Sequence, residues 1–234
     1  MAMRIEVRPD AEAVAERAAA LVAERARAAI ADHGHFTFAV SGGHTPWAMF
    51  ASLRGKDMPW EKVTIFQVDE RVAPDGHPDR NLTHLRASLP STATANIRAM
   101  PVGADDLERA AEQYARSLPE AFDLVHLGLG ADGHTASLIP GDPVLDVMDR
   151  DVAVTGVYEG RRRMTLTYPV LERALNVLWL VTGEDKANVL RRLQAGDRSI
   201  PAGRVSAANA LVIADEAAAG GWSDELRAGE ADSG

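Results

Sequence analysis

The sequence predicts an α/β fold: one domain built on a mostly parallel sheet with helices on both faces. Three observations point there. Short apolar runs recur along the chain, Phe36–Val40, Leu124–Leu127, Val177–Val181 and Ala210–Ile213 among them, and such runs suit strands buried on both faces. Segments of helical length and periodicity separate them, the alternation that gives right-handed crossovers between parallel strands. Several runs pass directly into turns of glycine, hydroxyl and charged residues, which is where open α/β sheets place their sites. The expected arrangement is Rossmann-like.

The 234-residue chain is 46% hydrophobic, enough for one substantial core, and it shows no internal repeat or dividing linker. A formal charge of −9 argues against binding nucleic acid or an anionic membrane. An anionic small substrate would need locally placed arginines and backbone amides. Without cysteine, disulfides, thiolate catalysis and cysteine-ligated metals are excluded. The start, MAMRIEVRPD, has no apolar signal-peptide core, and no run of about 18 apolar residues occurs, so the expected location is cytoplasmic.

In order, Ile5 and Val7 suggest a short first strand, stopped at Pro9-Asp10. Asp10 is a good N-cap for an alanine-rich helix to about Ala31. Val14, Ala18, Leu21, Val22 and Ile30 form its apolar stripe, with Arg17, Glu24 and Arg27 on the solvated face. His33 and His35 flank a turn at Gly34 and are assigned no chemistry. The strand Phe36–Val40 runs into Ser41-Gly42-Gly43-His44-Thr45-Pro46, and Pro46 suits the first turn of the next helix. A strand, a glycine turn with two hydroxyls and a helix N-terminus make a cradle that can hold a phosphate on backbone amides. It is neither a Walker loop nor a G-x-S-x-G elbow.

Val63–Val68 is the third strand, with Asp69-Glu70-Arg71 at its C-terminal end. A polar loop follows, and Asn81 opens a helix carrying Leu82, Leu85 and Leu89. His77 and His84 are isolated, so neither reads as a metal ligand. A helix from about Asp105 to Leu118 precedes the Leu124–Leu127 strand. Val152–Thr155 and Arg163–Tyr168 follow as strands, the second alternating as if one face were exposed. Arg161, Arg162 and Arg163 are consecutive, and any of them can aim a guanidinium fork at a phosphate. Val177–Val181 ends at Thr182-Gly183, and Glu184-Asp185-Lys186 opens a helix through Leu193. Lys186 there opposes the helix dipole, which suggests an anion nearby. Residues 1–219 form the domain, and the polar tail 220–234 is expected to fray.

The chemistry concentrates in FDLVHLGLGADGHTASLIPG, Phe122 to Gly141. A buried strand breaks into Gly128, Gly130 and Gly133, and the turn presents Asp132 and His134. The glycines also fit G-x-G-x-x-G, but Pro140-Gly141 cuts any helix there to about one and a half turns. Asp132 would moreover set a negative charge against a pyrophosphate. A dinucleotide site is therefore set aside, and no cofactor is expected. An acid and an imidazole two residues apart suit general-base catalysis, the carboxylate orienting the ring.

With these residues gathered, the chain resembles the 6-phosphogluconolactonases, within the wider group that includes glucosamine-6-phosphate deaminases. GLGADGHTASLIPG is the most specific stretch, and VSGGHTP, VDERVAPDGHPDRN, RMTLTYP and TGEDKANVL support it in order. The resemblance implies hydrolysis of 6-phosphoglucono-1,5-lactone in the oxidative pentose phosphate pathway, by a monomer or small homo-oligomer. It implies His134 as the base that activates water, Arg71 steadying charge at the lactone, and Asp69 and Asp132 organising the site. Ser41, Gly42, Gly43, Thr45, Asn81, Arg163 and Lys186 are the implied substrate and phosphate contacts. Arg80 stands where a serine is usual, and Pro201-Ala202-Gly203 replaces a familiar Pro-Ala-Ser, so details of substrate contact are expected to differ. No metal is implied.

Two other readings share these features. An amino-sugar phosphate deaminase/isomerase resembles a site with an acid shortly after the histidine, as in H-I-A-F-N-E. Here the stretch is His134-Thr135-Ala136-Ser137-Leu138-Ile139, without a carboxylate. A non-catalytic sugar-phosphate sensor would keep the cradle but has no need of the imidazole.

Overall fold

The computed structural model describes residues 3–89, 96–206 and 208–220. Nearly all of the tail at 220–234 thus lies outside the described residues. Asp10 caps the first helix as expected, accepting from Ala13 N at 2.8 Å, and Gly34 closes it in the left-handed region. In order the elements are β1 (Arg4–Arg8), α1 (Ala11–His33), β2 (Phe36–Val40), α2 (His44–Ser52), β3 (Val63–Gln67), β4 (Asp69–Arg71), α3 (Asn81–Ser88) and β5 (Asn96–Arg98). There follow α4 (Leu107–Ala115), β6 (Leu124–Leu127), β7 (Val152–Val154), β8 (Arg163–Leu166), α5 (Tyr168–Glu172), β9 (Val177–Val181), α6 (Ala187–Gln194), β10 (Ala210–Asp215) and α7 (Glu216–Ala219).

Among the described residues, a parallel sheet of seven strands runs in the order β1-β10-β9-β6-β2-β3-β5. Its central strands are buried along their whole length, as continuous apolar runs require. Alternate side chains feed two cores. Phe36, Phe38, Leu178 and Leu180 pack on one side with Val14, Leu21 and Val22 of α1 and with Met49 and Phe50 of α2. Ala39, Val125, Leu127 and Trp179 pack on the other with Tyr114 of α4, Leu171 of α5 and Leu190 of α6. Helices on both faces follow from that two-sided burial. β9, β6, β2 and β3 are neighbours, so the turns leaving their C-terminal ends share one edge.

Three expectations are corrected. The strands at 152–155 and 163–168 leave the main sheet: β7 and β8 pair antiparallel with each other, and β8 pairs with β4, in the order β4-β8-β7. Asp69-Glu70-Arg71, at the end of β3, is the strand β4 that joins this second sheet. Nor is one face of β8 exposed. Met164 and Leu166 enter the core, while Thr165 accepts from Ser137 N at 3.2 Å and Arg163 is 4% exposed. Arg17 is not simply solvated, since it forks onto Glu6 of β1 at 2.7 and 3.0 Å. Its partner lies on another element, which no helical periodicity can reveal.

Candidate active site

At the shared edge a cavity of about 590 Å³ is lined by all the residues expected to form the base, its supports and the substrate contacts: Ser41, Gly42, Gly43, Thr45, Asp69, Arg71, Asn81, Asp132, His134, Arg163 and Lys186. Its size suits a small polar metabolite.

The turn after β6 is shaped for its histidine. Gly133 has φ +85° and Ala136 φ +51°, so the chain doubles back, and Gly130 N donates to His134 O at 2.9 Å. A Cβ on Gly130 would overlap the His134 ring, so only glycine lets the imidazole lie there. His134 Nδ1 meets Asp132 Oδ1 at 2.6 Å, and His134 N donates to the same oxygen at 3.1 Å. A carboxylate can only accept, so in the neutral ring the proton belongs on Nδ1 and Nε2 carries the lone pair. Burial pushes the Asp132 carboxyl up, but the His134 backbone N–H, the ring and Tyr158 together hold it below its usual range. Thr135 and Ser137 are fully buried, and no helix forms before Pro140.

β4 supplies the facing wall. Ser137 Oγ donates to Asp69 Oδ2 at 2.6 Å, and Asn81 Nδ2 donates to Asp69 O at 3.0 Å. Asn81 Oδ1 accepts from Arg71 Nη1 and occupies the space a Cβ on Gly42 would need. Behind this wall sits Glu70, fully buried, which in the sequence is only one charge of Asp69-Glu70-Arg71. Its oxygens accept from the N–H groups of Arg71, Asn81 and Leu82 at 2.8–2.9 Å and from Gln67 Nε2 at 2.8 Å. Arg80 Nε stands 3.0 Å away, too poorly aligned for a hydrogen bond, and Arg80 Nη1 donates to Ala73 O at 2.8 Å. Arg80 thus lies behind the cavity rather than in it.

Antiparallel register decides which of the three arginines enters. Arg163 sits directly opposite Arg71 in the register, so two cations reach the same part of the cavity, with Glu159 accepting from Arg163 Nη2 at 2.8 Å. Arg161 is held by Asp79 at 2.6 Å in an adjoining pocket that shares Arg71 and Arg163, and Arg162 reaches Glu108 at 3.7 Å. Gly43 (φ +136°) precedes α2 without a side-chain cap, and Gly43, His44 and Thr45 line the cavity beside these cations. Lys186 comes from a 3₁₀ turn opened by Gly183, whose N–H is held by Asp215 at 3.0 Å.

Two further lining residues escaped sequence reasoning. His126 of β6 is fully buried with neither ring nitrogen bonded, and burial pushes it down to about 3. In the sequence it is one letter of an apolar run, and only its being the lone titratable group there signals otherwise. Tyr158 reaches the site from the β7–β8 turn. Among the described residues no cluster of three or more His, Asp or Glu side chains could hold a metal ion, and no helix is long and apolar enough to cross a membrane.

Residues 9–213 match the family model described as glucosamine-6-phosphate isomerases/6-phosphogluconolactonase. The 6-phosphogluconolactonase of Synechocystis sp. is 36% identical over 208 residues, 83% of this chain and 86% of that protein. Among solved structures, the 6-phosphogluconolactonase of Thermotoga maritima superposes with TM-score 0.81 at 26% identity, covering 91% of this chain and 98% of that one. A monomeric glucosamine-6-phosphate deaminase superposes with TM-score 0.80 at 18% identity, covering 93% of this chain and 99% of that one, a likeness of fold alone.

Proposed function

The chain belongs to the glucosamine-6-phosphate isomerase/6-phosphogluconolactonase family, and we propose that it hydrolyses 6-phosphoglucono-1,5-lactone to 6-phosphogluconate with water activated by His134. The single observation that supports this best is the Asp132–His134 pair, its free Nε2 on a cavity that also holds Arg71 and Arg163.

A δ-lactone is a reactive ester, so its hydrolysis needs water activation and charge stabilisation but no covalent nucleophile. His134 Nε2 takes a proton from water as the oxygen bonds to the carbonyl carbon. Negative charge then grows on the carbonyl oxygen, which Arg71 is suited to steady. The ring C–O bond breaks, and the ring oxygen leaves as a hydroxyl using the proton held on the imidazolium. Asp132 keeps the ring oriented throughout. The amides of α2, with Arg163 and Lys186, grip the phosphate, which converts binding into positioning.

Fold does not separate a lactonase from a deaminase. The stretch after His134 favours the lactonase reading, because Ile139 stands where the pattern H-I-A-F-N-E carries its acid and Ser137 is committed to Asp69. The test is an assay on freshly generated 6-phosphogluconolactone, with spontaneous hydrolysis subtracted at each pH. His134→Asn keeps the ring's approximate size but cannot take the proton. It is expected to lower kcat by about 10²–10⁴-fold, roughly 3–5 kcal/mol of barrier. The rise of kcat/KM with pH should vanish in the variant, while affinity for 6-phosphogluconate stays close to that of the wild type. A folded His134→Asn protein that keeps most of its kcat would place the base elsewhere, with Asp69 the next candidate.

A further inference from the structure

Tyr158 sits at the tip of the β7–β8 turn, which closes through Tyr158 N to Arg161 O at 2.9 Å and bends at Glu159 (φ +50°) and Gly160 (φ +77°). Its hydroxyl donates to Asp132 Oδ2 at 3.2 Å, the oxygen that His134 does not use. Its ring edge meets the His134 ring, with centroids 5.7 Å apart and planes at 68°. Its face carries the Arg163 guanidinium, 4.9 Å from the ring centroid, and the adjacent Glu159 accepts from Arg163 Nη2 at 2.8 Å. Burial and the Asp132 carboxylate hold the phenol above its ordinary range, so it remains a donor. One side chain thus touches both the carboxylate that orients the base and a cation of the phosphate grip.

We propose that Tyr158 is the positioning residue that joins the phosphate grip to the base, so that an anion on Arg163 steadies the tip of the turn and, through the hydroxyl on Asp132, the imidazole. This rests on the reading of His134 as the base. The consequence is that the substrate's phosphate contributes to kcat as well as to KM, which is remote binding energy expressed at the reacting centre. Selectivity for the phosphorylated lactone then depends on Tyr158 as well as on the cations.

The experiment compares wild type, Tyr158→Phe, Tyr158→Ala, Asp132→Asn and Tyr158→Phe/Asp132→Asn on 6-phosphogluconolactone and on gluconolactone, with His134→Asn in parallel and a thermal melt of each. Tyr158→Phe keeps the ring over Arg163 and removes one hydrogen bond to a charged group. It is expected to lower kcat about 10-fold on the phosphorylated lactone with KM within about twofold. The pH limb of kcat/KM should move upward, because Asp132 without that donor favours the imidazolium more strongly. Tyr158→Ala should additionally raise KM about 2–5-fold for the phosphorylated lactone only, through loss of the cation–π contact. The double variant should be no slower than Asp132→Asn alone. A Tyr158→Phe protein with wild-type kcat and an unmoved pH limb overturns the proposal, as does a double variant in which the two losses multiply. If His134→Asn keeps its kcat, the base reading fails and this proposal falls with it; if His134→Asn loses kcat while Tyr158→Phe does not, only the proposal for Tyr158 falls.

Discussion

Replacing Glu70 by glutamine would weaken the brace behind the site without altering the cavity surface. The amide keeps the shape but turns one acceptor oxygen into an NH₂ group that faces donors. If Oε1 is lost, the N–H groups of Arg71 and Asn81 lose their acceptor; if Oε2 is lost, Gln67 and Leu82 lose theirs; in either case Arg80 loses its counter-charge. Each hydrogen bond to a charged acceptor is worth about 1.5–3 kcal/mol. Leaving a buried charge such as Arg80 unpaired costs about 3–5 kcal/mol. The two effects overlap rather than add, so the expected loss is about 3–5 kcal/mol, a large share of the 5–15 kcal/mol by which domains are usually stable. The assay is a urea melt followed by far-ultraviolet circular dichroism, where the midpoint should fall at an unchanged slope. Activity should fall too, since Glu70 holds the backbone of both Arg71 and Asn81. Arg80→Met alone leaves Glu70 with its N–H donors and is expected to cost less, and the double variant should lie well short of the summed losses. A cost below about 1 kcal/mol for Glu70→Gln would refute the bracing argument outright.

Arg163→Ala or Lys186→Ala should weaken binding of the phosphorylated lactone by about 1.5–3 kcal/mol and hurt the unphosphorylated lactone far less; equal losses on both would mean neither grips phosphate. Activity should survive chelator treatment with no added metal, and a loss restored by a divalent ion would sink the metal-free mechanism. His126, pushed down to about 3, stays neutral in the fold while the unfolded chain takes up a proton below about 6.5, so its contribution to stability is whole above that value and drains as pH falls towards 3. Between pH 7.5 and 5 this costs the wild type about 2 kcal/mol that His126→Leu should not lose, and parallel pH dependences in denaturant melts would contradict it. Gly203→Ser would drive its Cβ into the carbonyl of Asp197, so the 197–203 turn must shift at about 1–3 kcal/mol, and an unchanged melting temperature would show that the turn yields freely.

Much of the fold was legible because the relevant forces are local. Apolar runs fixed β2, β6, β9 and β10, Asp10 and Gly34 marked both ends of α1, and the glycines around Asp132 and His134 announced a turn. The neighbours along the sheet edge followed from alternating strands and helices, so the residues that line the cavity could be named from sequence, though their roles rest on the proposal above. What only the tertiary structure decided is which charge meets which. Arg161, Arg162 and Arg163 are equivalent by spacing, and the pairing of β8 with β4 alone sets Arg163 against Arg71 in the cavity. Glu70 reads as a rim charge until the backbone of α3 closes on it, and Tyr158 reads as a loop residue until its turn folds over Asp132. The physical reason is common to all three. Periodicity and turn chemistry depend on neighbours a few residues away, whereas a charge or hydroxyl takes its role from partners that chain folding brings from distant segments.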